Sequence, residues 1–268
     1  MLEALSLTGK IVVITGGGTG LGREMTLAMA KAGADLVIAA RRLAPIEEVA
    51  QQVRAIGRRA EAVPTDATDT ESVRLLFEHV IKEFGKVDIL FNNAGIVRED
   101  GPKPIWEITD DSWRIGIDVN LSTAFYCSRA ISKHMADRGS GKIVNVSSGY
   151  GFRGGRDNYM YAAGKGGIVN LTRAMATSLG KYGITTNCIV PGFIPTEITD
   201  PDSERSRQRG RFIPIGRTGV PREMGPLAVF LASSASDYMN GEFLVIDGGG
   251  LAGGIAPTGH APEIPLNI

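Results

Sequence analysis

Tyr161 and Lys165 stand four residues apart in the stretch YMYAAGK, residues 159–165. On a helix of 3.6 residues per turn, positions i and i+4 share a face, so a phenol would lie beside an ammonium; Tyr159 has no such partner. A free phenol ionises near pH ~10, and a neighbouring cation favours the ionised form. The pair therefore suits proton transfer to or from an oxygen atom. The same spacing also arises as an incidental contact on a helix surface, so the reading needs companions elsewhere in the chain.

One companion is TGGGTGLG, Thr15 to Gly22, between the apolar run IVVIT and the helical pattern GLGREMTLAMAKAG. Glycines between a strand and a helix let backbone N–H groups approach a pyrophosphate at a positively polarised helix N-terminus. The spacing is T-G-x-x-x-G-x-G, with Gly16, Gly20 and Gly22 and with Thr19 and Leu21 between them. A tight structural turn is the alternative, but the position favours dinucleotide binding. The second apolar run ends IAARR. Ala40 stands where an acid would hold the ribose 2′-hydroxyl of NAD, and Arg41 and Arg42 follow, which suit a 2′-phosphate. NADP(H) is the favoured nucleotide and NAD(H) the other possible one.

Elements of matching length must carry these groups. Short β-branched runs begin at Ile11, Asp35, Ala60, Val87, Lys142, Thr185 and Phe243, separated by segments with helical spacing of apolar residues. Near-continuous apolar strands suit burial on both faces. The alternation predicts an α/β fold: a single Rossmann-like, doubly wound parallel sheet of about seven strands with helices on both faces. One segment from Asp110 to about His134 reads as a long helix, and Gly33, Gly57, Gly85 and Gly183 read as helix stops. The loop from Arg98 to Ile108 and the Arg-rich stretch from Pro195 to about Val220 read as irregular and close to substrate. Residues 1–250 form the expected domain. The apolar tail, 251–268, suits a disordered end or docking on a neighbouring subunit.

Composition removes several classes of partner. Lysine plus arginine and aspartate plus glutamate both total 29 in 268 residues, so no net charge argues for nucleic acid or an anionic membrane. Cys127 and Cys188 sit in apolar segments and read as buried, reduced thiols; His79, His134 and His260 are scattered, and no metal site is expected. The start MLEALSLTGKIVVITGG lacks a signal-peptide pattern, and no run approaches membrane-spanning length, so a cytoplasmic protein is expected.

Taken together, these motifs resemble the short-chain dehydrogenase/reductase family from about Leu7 to Gly250. The matches are TGGGTGLG, NNAG at Asn92 to Gly95, Asn120 in DVNL, NVSS at Asn145 to Ser148, Tyr161 and Lys165 as Y-x-x-x-K, and PG at Pro191 and Gly192. The resemblance implies a catalytic set of Asn120, Ser148, Tyr161 and Lys165. Of two adjacent serines, the family separation of thirteen residues before the tyrosine selects Ser148 over Ser147. It further implies that Tyr161 exchanges a proton with the oxygen of an alcohol or carbonyl while nicotinamide exchanges a hydride with the carbon. Ser148 would hydrogen-bond that oxygen, Lys165 would tune Tyr161 and bind the nicotinamide ribose, and Asn120 would hold a relay water. Asp66 and Ala67 would border the adenine, while Asn93, Ala94, Gly95, Pro191, Gly192, Ile194 and Thr196 would line the rest of the nucleotide site. The family implies a homotetramer or dimer. Gly164 departs from the serine often found before the lysine; with Gly166 and Gly167 it suggests close packing of the helix against another element.

For a small-molecule substrate, Ser148, Tyr150, Arg153, Arg156 and Phe193 are the candidates. Arg205, Arg207, Arg209 and Arg211 add cations in SERSRQRGRF. Arginine forks suit a carboxylate or phosphate, pointing to a sugar acid or an acyl group on a phosphopantetheine carrier; arginines paired with Asp157, Asp202 or Glu204 at the surface are the other reading. PGFIPTEIT and ASDYMNGEFLVIDGG resemble gluconate 5-dehydrogenase-type members, and 3-oxoacyl-carrier-protein reductases share much of the pattern. A non-catalytic NADP-binding sensor or scaffold would be expected to lose the serine, tyrosine or lysine, all present here.

Overall fold

The computed structural model describes residues 2–96, 103–196 and 203–253. Seven parallel strands form one sheet in the order β3-β2-β1-β4-β5-β6-β7. They are β1 (Ile11–Thr15), β2 (Asp35–Ala40), β3 (Ala60–Pro64), β4 (Ile89–Asn92), β5 (Gly141–Val146), β6 (Ile184–Pro191) and β7 (Phe243–Ile246). The order reverses between β1 and β4, which pair with Thr15 opposite Asn92. A crevice opens at such a switch point beyond the strand C-termini, and ligands of open α/β sheets bind there.

Strand side chains alternate between faces, and each face has its own core. Val12, Ile14, Leu36, Ile38, Ile89 and Phe91 pack with α1 (Gly20–Lys31), α2 (Leu43–Ala55) and α8 (Met224–Ala232). Ile11, Val13, Val37, Leu90 and Ile143 pack on the other face with α3 (Thr70–Phe84), α5 (Thr123–Asp137) and α6 (Tyr159–Leu179). Cys127 and Cys188 are buried free thiols, pushed up to about 12 by burial. Helix α3 shows both ends of the local code. The Asp69 carboxylate accepts from the N–H groups of Glu71 and Ser72, and Gly85 closes the helix at φ +79°.

Two expectations need correction. The segment expected as one long helix is α4 (Asp110–Ile117), a π-helical turn over Asp118–Ser122, and then α5. The break has a packing cause: a Cβ on Gly116 would come 2.3 Å from Met160 Cγ, and one on Gly164 would come 2.7 Å from Asn120 Cβ. Helix α6 crosses so closely that the turn carrying Asn120 is wedged against it. Part of the Arg-rich stretch is also ordered, as α7 (Glu204–Gly210), with Ser203 Oγ accepting from Ser206 N at 3.2 Å. An N-cap serine and the Arg207–Glu204 pair at 3.3 Å support a helix there despite the charge density.

Residues 98–102 of the expected loop, Asp202, the side chain of Arg205 and residues 254–268 of the expected tail lie outside the described residues. Among the described residues, no helix is long and apolar enough to cross a membrane.

Candidate active site

The switch point brings two loops together through one hydroxyl. Thr15 Oγ1 accepts from the N–H groups of Asn93 and Ala94, both at 3.1 Å. Asn93 Nδ2 returns two bonds, to Thr15 O at 3.1 Å and Gly16 O at 3.0 Å. The glycine turn is thereby fastened to the NNAG segment. Gly16 and Gly20 adopt φ of +66° and +52°, a region in which side chains with a Cβ are strained. Gly20 faces Thr196, whose Cγ2 would lie 3.0 Å from an added Cβ, so the segment after β6 stands over the turn. Leu21 packs against the core behind it.

This turn fits a pyrophosphate. Thr19 is the N-cap of α1 but makes no side-chain capping bond, and the first turn contains no acid. The helix thus keeps its positive end and its leading N–H groups for an anion. At the β2 exit, Arg41 and Arg42 are exposed. Arg41 is close enough to help hold the Asp66 carboxyl below its ordinary range, a shift owed first to the hydrogen bonds from Thr68. Asp66 Oδ1 accepts from Thr68 N at 2.9 Å and from Thr68 Oγ1 at 2.7 Å; Ala67 between them is half-buried.

The four candidate catalytic residues converge beside this turn. Asn120 is buried, and both ends of its side chain are held: Oδ1 accepts from Ile96 N at 3.0 Å, and Nδ2 donates to Gly116 O at 2.9 Å. It stands in a π turn whose carbonyls are spaced out of the ordinary helical ladder. Gly95 closes the gap between elements, since an added Cβ would lie 3.1 Å from both Asn120 Oδ1 and Lys165 Nζ.

Lys165 is 4% exposed, and its ammonium donates to Val146 O at 2.9 Å. Burial brings its pKa down to about 8. The expected pairing with Tyr161 exists as a cation 5.7 Å from the ring centroid, not as a hydrogen bond to the phenol oxygen. Burial holds Tyr161 above its ordinary pKa; the Ser148 hydroxyl bonded to it works the other way, and Tyr150 adds to the rise. In this arrangement Ser148 opposes the cost of ionising the phenol from the hydroxyl side, and the Lys165 cation stands at the ring.

The substrate candidates divide. Tyr150 packs edge to face on Tyr161, with centroids 6.3 Å apart. Arg153 lies 5.9 Å from the Tyr150 ring and donates a long hydrogen bond of 3.4 Å to Gly250 O. Arg156 is exposed. Arg209 stacks on Phe193 at 4.2 Å, Arg207 pairs with Glu204, and Arg211 is exposed. Phe193 and Ile194 line a cavity of about 170 Å³ together with Ile246, Asp247 and Glu223; none of the four catalytic candidates lines it. Pro191 ends β6, and Gly192 packs on Asp247, where a Cβ would lie 2.5 Å from the Asp247 Cβ.

Sequence reasoning passed over Thr15 and Ser147. Thr15 stood inside the glycine motif, but only tertiary pairing of β1 with β4 shows what its hydroxyl holds. Ser147 was set aside as the wrong serine, and it faces the other side of the extended chain from Ser148.

A sheet with this switch point, a glycine turn at the first helix and a serine–tyrosine–lysine cluster define a nucleotide-dependent oxidoreductase. The short chain dehydrogenase family model matches residues 10–207, and the chain belongs to that family. It is 40% identical over 257 residues to the 2-dehydro-3-deoxy-D-gluconate 5-dehydrogenase of Escherichia coli strain K12, covering 94% of this chain and 99% of that one. It is 32% identical to the 3-oxoacyl-[acyl-carrier-protein] reductase of Thermotoga maritima, covering 91% and 99%. Among solved structures, a gluconate 5-dehydrogenase from Burkholderia cenocepacia J2315 in complex with NADP and tartrate superposes with a TM-score of 0.88. That protein is 34% identical, over 94% of this chain and 99% of its own.

Proposed function

We propose that this protein is an NADP(H)-dependent oxidoreductase that interconverts a secondary alcohol and a ketone on a sugar acid, with Tyr161 as the general acid and base. The observation that carries the reading is the convergence of half-buried Ser148 and Tyr161 with buried Lys165 next to an uncapped, glycine-lined helix N-terminus. NADP(H), when bound, supplies or receives the hydride. The helix N-terminus would hold its pyrophosphate, Arg41 and Arg42 its 2′-phosphate, and Lys165 the ribose beside the nicotinamide.

In reduction, Tyr161 gives its proton to the carbonyl oxygen; in oxidation, the phenolate takes it back. Ser148 Oγ already accepts from Tyr150 N at 3.2 Å, so its own O–H is available to donate. Such an aimed donor, with one proton to give, stabilises whichever of the substrate oxygen and the phenolate carries the charge. Lys165 keeps its cation against the Tyr161 ring, and the edge of Tyr150 helps exclude water from the pair. Arg153, one aromatic ring away from Tyr161, and Arg156 support recognition of a carboxylate. Exposed Trp113, Ile115 and Phe125 on α4 and α5 support assembly into a dimer or tetramer.

Initial rates with NADP or NAD, across a sugar acid, its neutral polyol analogue and an oxoacyl thioester, test the reading. The sugar acid is expected to exceed the polyol in kcat/KM by about tenfold or more, the worth of one charge-assisted contact. Turnover of the thioester alone would move the assignment to the carrier-protein reductases. For the nucleotide, Ala40→Asp places a carboxylate against the 2′-phosphate and is expected to reverse the preference from NADP to NAD. An unchanged NADP/NAD ratio of kcat/KM would remove Arg41 and Arg42 from the site.

A further inference from the structure

Val146, the last residue of β5, and the two residues after it each touch α6 in a different way. Val146 O accepts from Lys165 Nζ at 2.9 Å. Ser147 Oγ donates to the backbone carbonyl of the same lysine at 2.8 Å. Ser148 reaches the Tyr161 phenol. Lys165 is thus gripped at both ends, its ammonium and its peptide carbonyl, by the last residue of β5 and the residue that follows it. Ser147 is itself fixed, being 3% exposed with its N–H bonded to Ile189 O of β6 at 2.9 Å.

The neighbouring turn is shaped around this contact. An added Cβ on Gly151 would lie 2.6 Å from Ser147 Oγ and 2.7 Å from Lys165 O. The backbone therefore comes as close as a missing side chain allows, and the hydroxyl has little room to turn elsewhere. A carbonyl inside a helix already accepts from the helix, so a second donor there bonds for position as well as for its own satisfaction.

We infer that Ser147 is a positioning residue for Lys165: its hydroxyl sets the rotation and depth of that turn of α6 against β5, and through it the place of the ammonium beside Tyr161. The inference rests on the catalytic reading of Tyr161 and Lys165 above. Among the described residues, the titratable groups facing the pair are few. Cys188 faces Lys165 from β6 and Tyr150 faces Tyr161 from the 3-10 turn Gly149–Gly151. The 94–96 segment brings Ala94, Gly95 and Ile96, and the acid of the π turn, Asp118, is exposed and bonded to Ser122. A displaced ammonium would thus show as a change in the ionisation that limits oxidation.

The test is the pH profile of kcat in the oxidative direction for Ser147→Ala, Ser147→Thr and Lys165→Met, beside Ile131→Val, a core substitution on α5 away from the site. Ser147→Ala is expected to lose about tenfold in kcat, within the range that a small misplacement of a catalytic group costs, and to move the rising limb to higher pH. Ser147→Thr keeps the hydroxyl and is expected to hold the wild-type limb. Ile131→Val should lower the melting temperature without moving the profile. If Ser147→Ala behaves as Ile131→Val does, or Ser147→Thr shifts as far as alanine, Ser147 only packs the fold and the inference is overturned. If Lys165→Met keeps its turnover, the catalytic reading itself fails, a result distinct from the first. Should the alanine variant not fold, Ser147→Cys, a weaker donor of similar shape, carries the same comparison.

Discussion

Tyr161→Phe should bind NADPH like the wild type and lose about a thousandfold in turnover, while Tyr159→Phe should stay within a few-fold of it. The substitution removes one oxygen and leaves the ring, so the packing of Tyr150 on Tyr161 at 6.3 Å and the Lys165 contact with the ring survive. What disappears is the hydroxyl that Ser148 answers, the proton donor of the proposed reaction, whose ionised form that partner stabilises. Tyr159 is a close control because it opens the same helix and its hydroxyl donates to Asp157 at 3.4 Å, away from the cluster. The measurement is NADPH binding by fluorescence together with initial rates in both directions. An active Tyr161→Phe, or an inactive Tyr159→Phe, would overturn the assignment of the proton donor.

The same pair shows what a sequence can and cannot carry. That Tyr161 and Lys165 share a helix face follows from a period of 3.6, and the structure agrees. How they interact does not follow, because it depends on where β5 ends. The lysine ammonium is held by Val146 O, a backbone atom that no residue type announces, and the phenol is answered by Ser148, two residues beyond the strand. The strands at the centre of the sheet were legible because β1, β4 and β6 are short apolar runs buried on both faces, whereas β3 and β7 are only partly buried and were read from their place in the alternation. The long segment from Asp110 was legible as helical but not as broken: its π turn comes from the crowding of Gly116 by Met160 and of Asn120 by Gly164, contacts between α6 and residues about forty positions earlier. Gly164, noted as a departure from the family pattern, is what lets Asn120 approach. The arginine-rich stretch misled for a different reason. Charge density reads as a solvated loop, yet an N-cap at Ser203 and i,i+3 pairing are enough for two turns of helix.

The glycine turn carries the second large prediction. Gly22→Ala should weaken NADPH binding by about a hundredfold, the loss of roughly two charge-assisted contacts to an anion at ~1.5 kcal/mol each. Gly22 lies inside α1 with nothing unusual in its backbone, so conformational freedom is not the issue. Space is: a Cβ would stand 2.2 Å from Gly16 O and 2.5 Å from Asn93 Nδ2. Neither atom can yield alone, because Asn93 Nδ2 is the group that donates to Gly16 O at 3.0 Å and to Thr15 O at 3.1 Å. A methyl group there must push the first glycine of the turn away from the NNAG segment, and the N–H groups meant for the pyrophosphate move with it. Gly57→Ala separates this effect from a general loss of stability. Gly57 has φ +87° with nothing within 4 Å of an added Cβ, so it carries backbone strain of about 1–2 kcal/mol and no clash. Both variants should melt below the wild type, but only Gly22→Ala should lose the nucleotide, as followed by NADPH fluorescence titration. If Gly22→Ala binds NADPH as tightly as Gly57→Ala does, the turn between β1 and α1 is a structural corner, and the phosphate site must be sought elsewhere along the switch point.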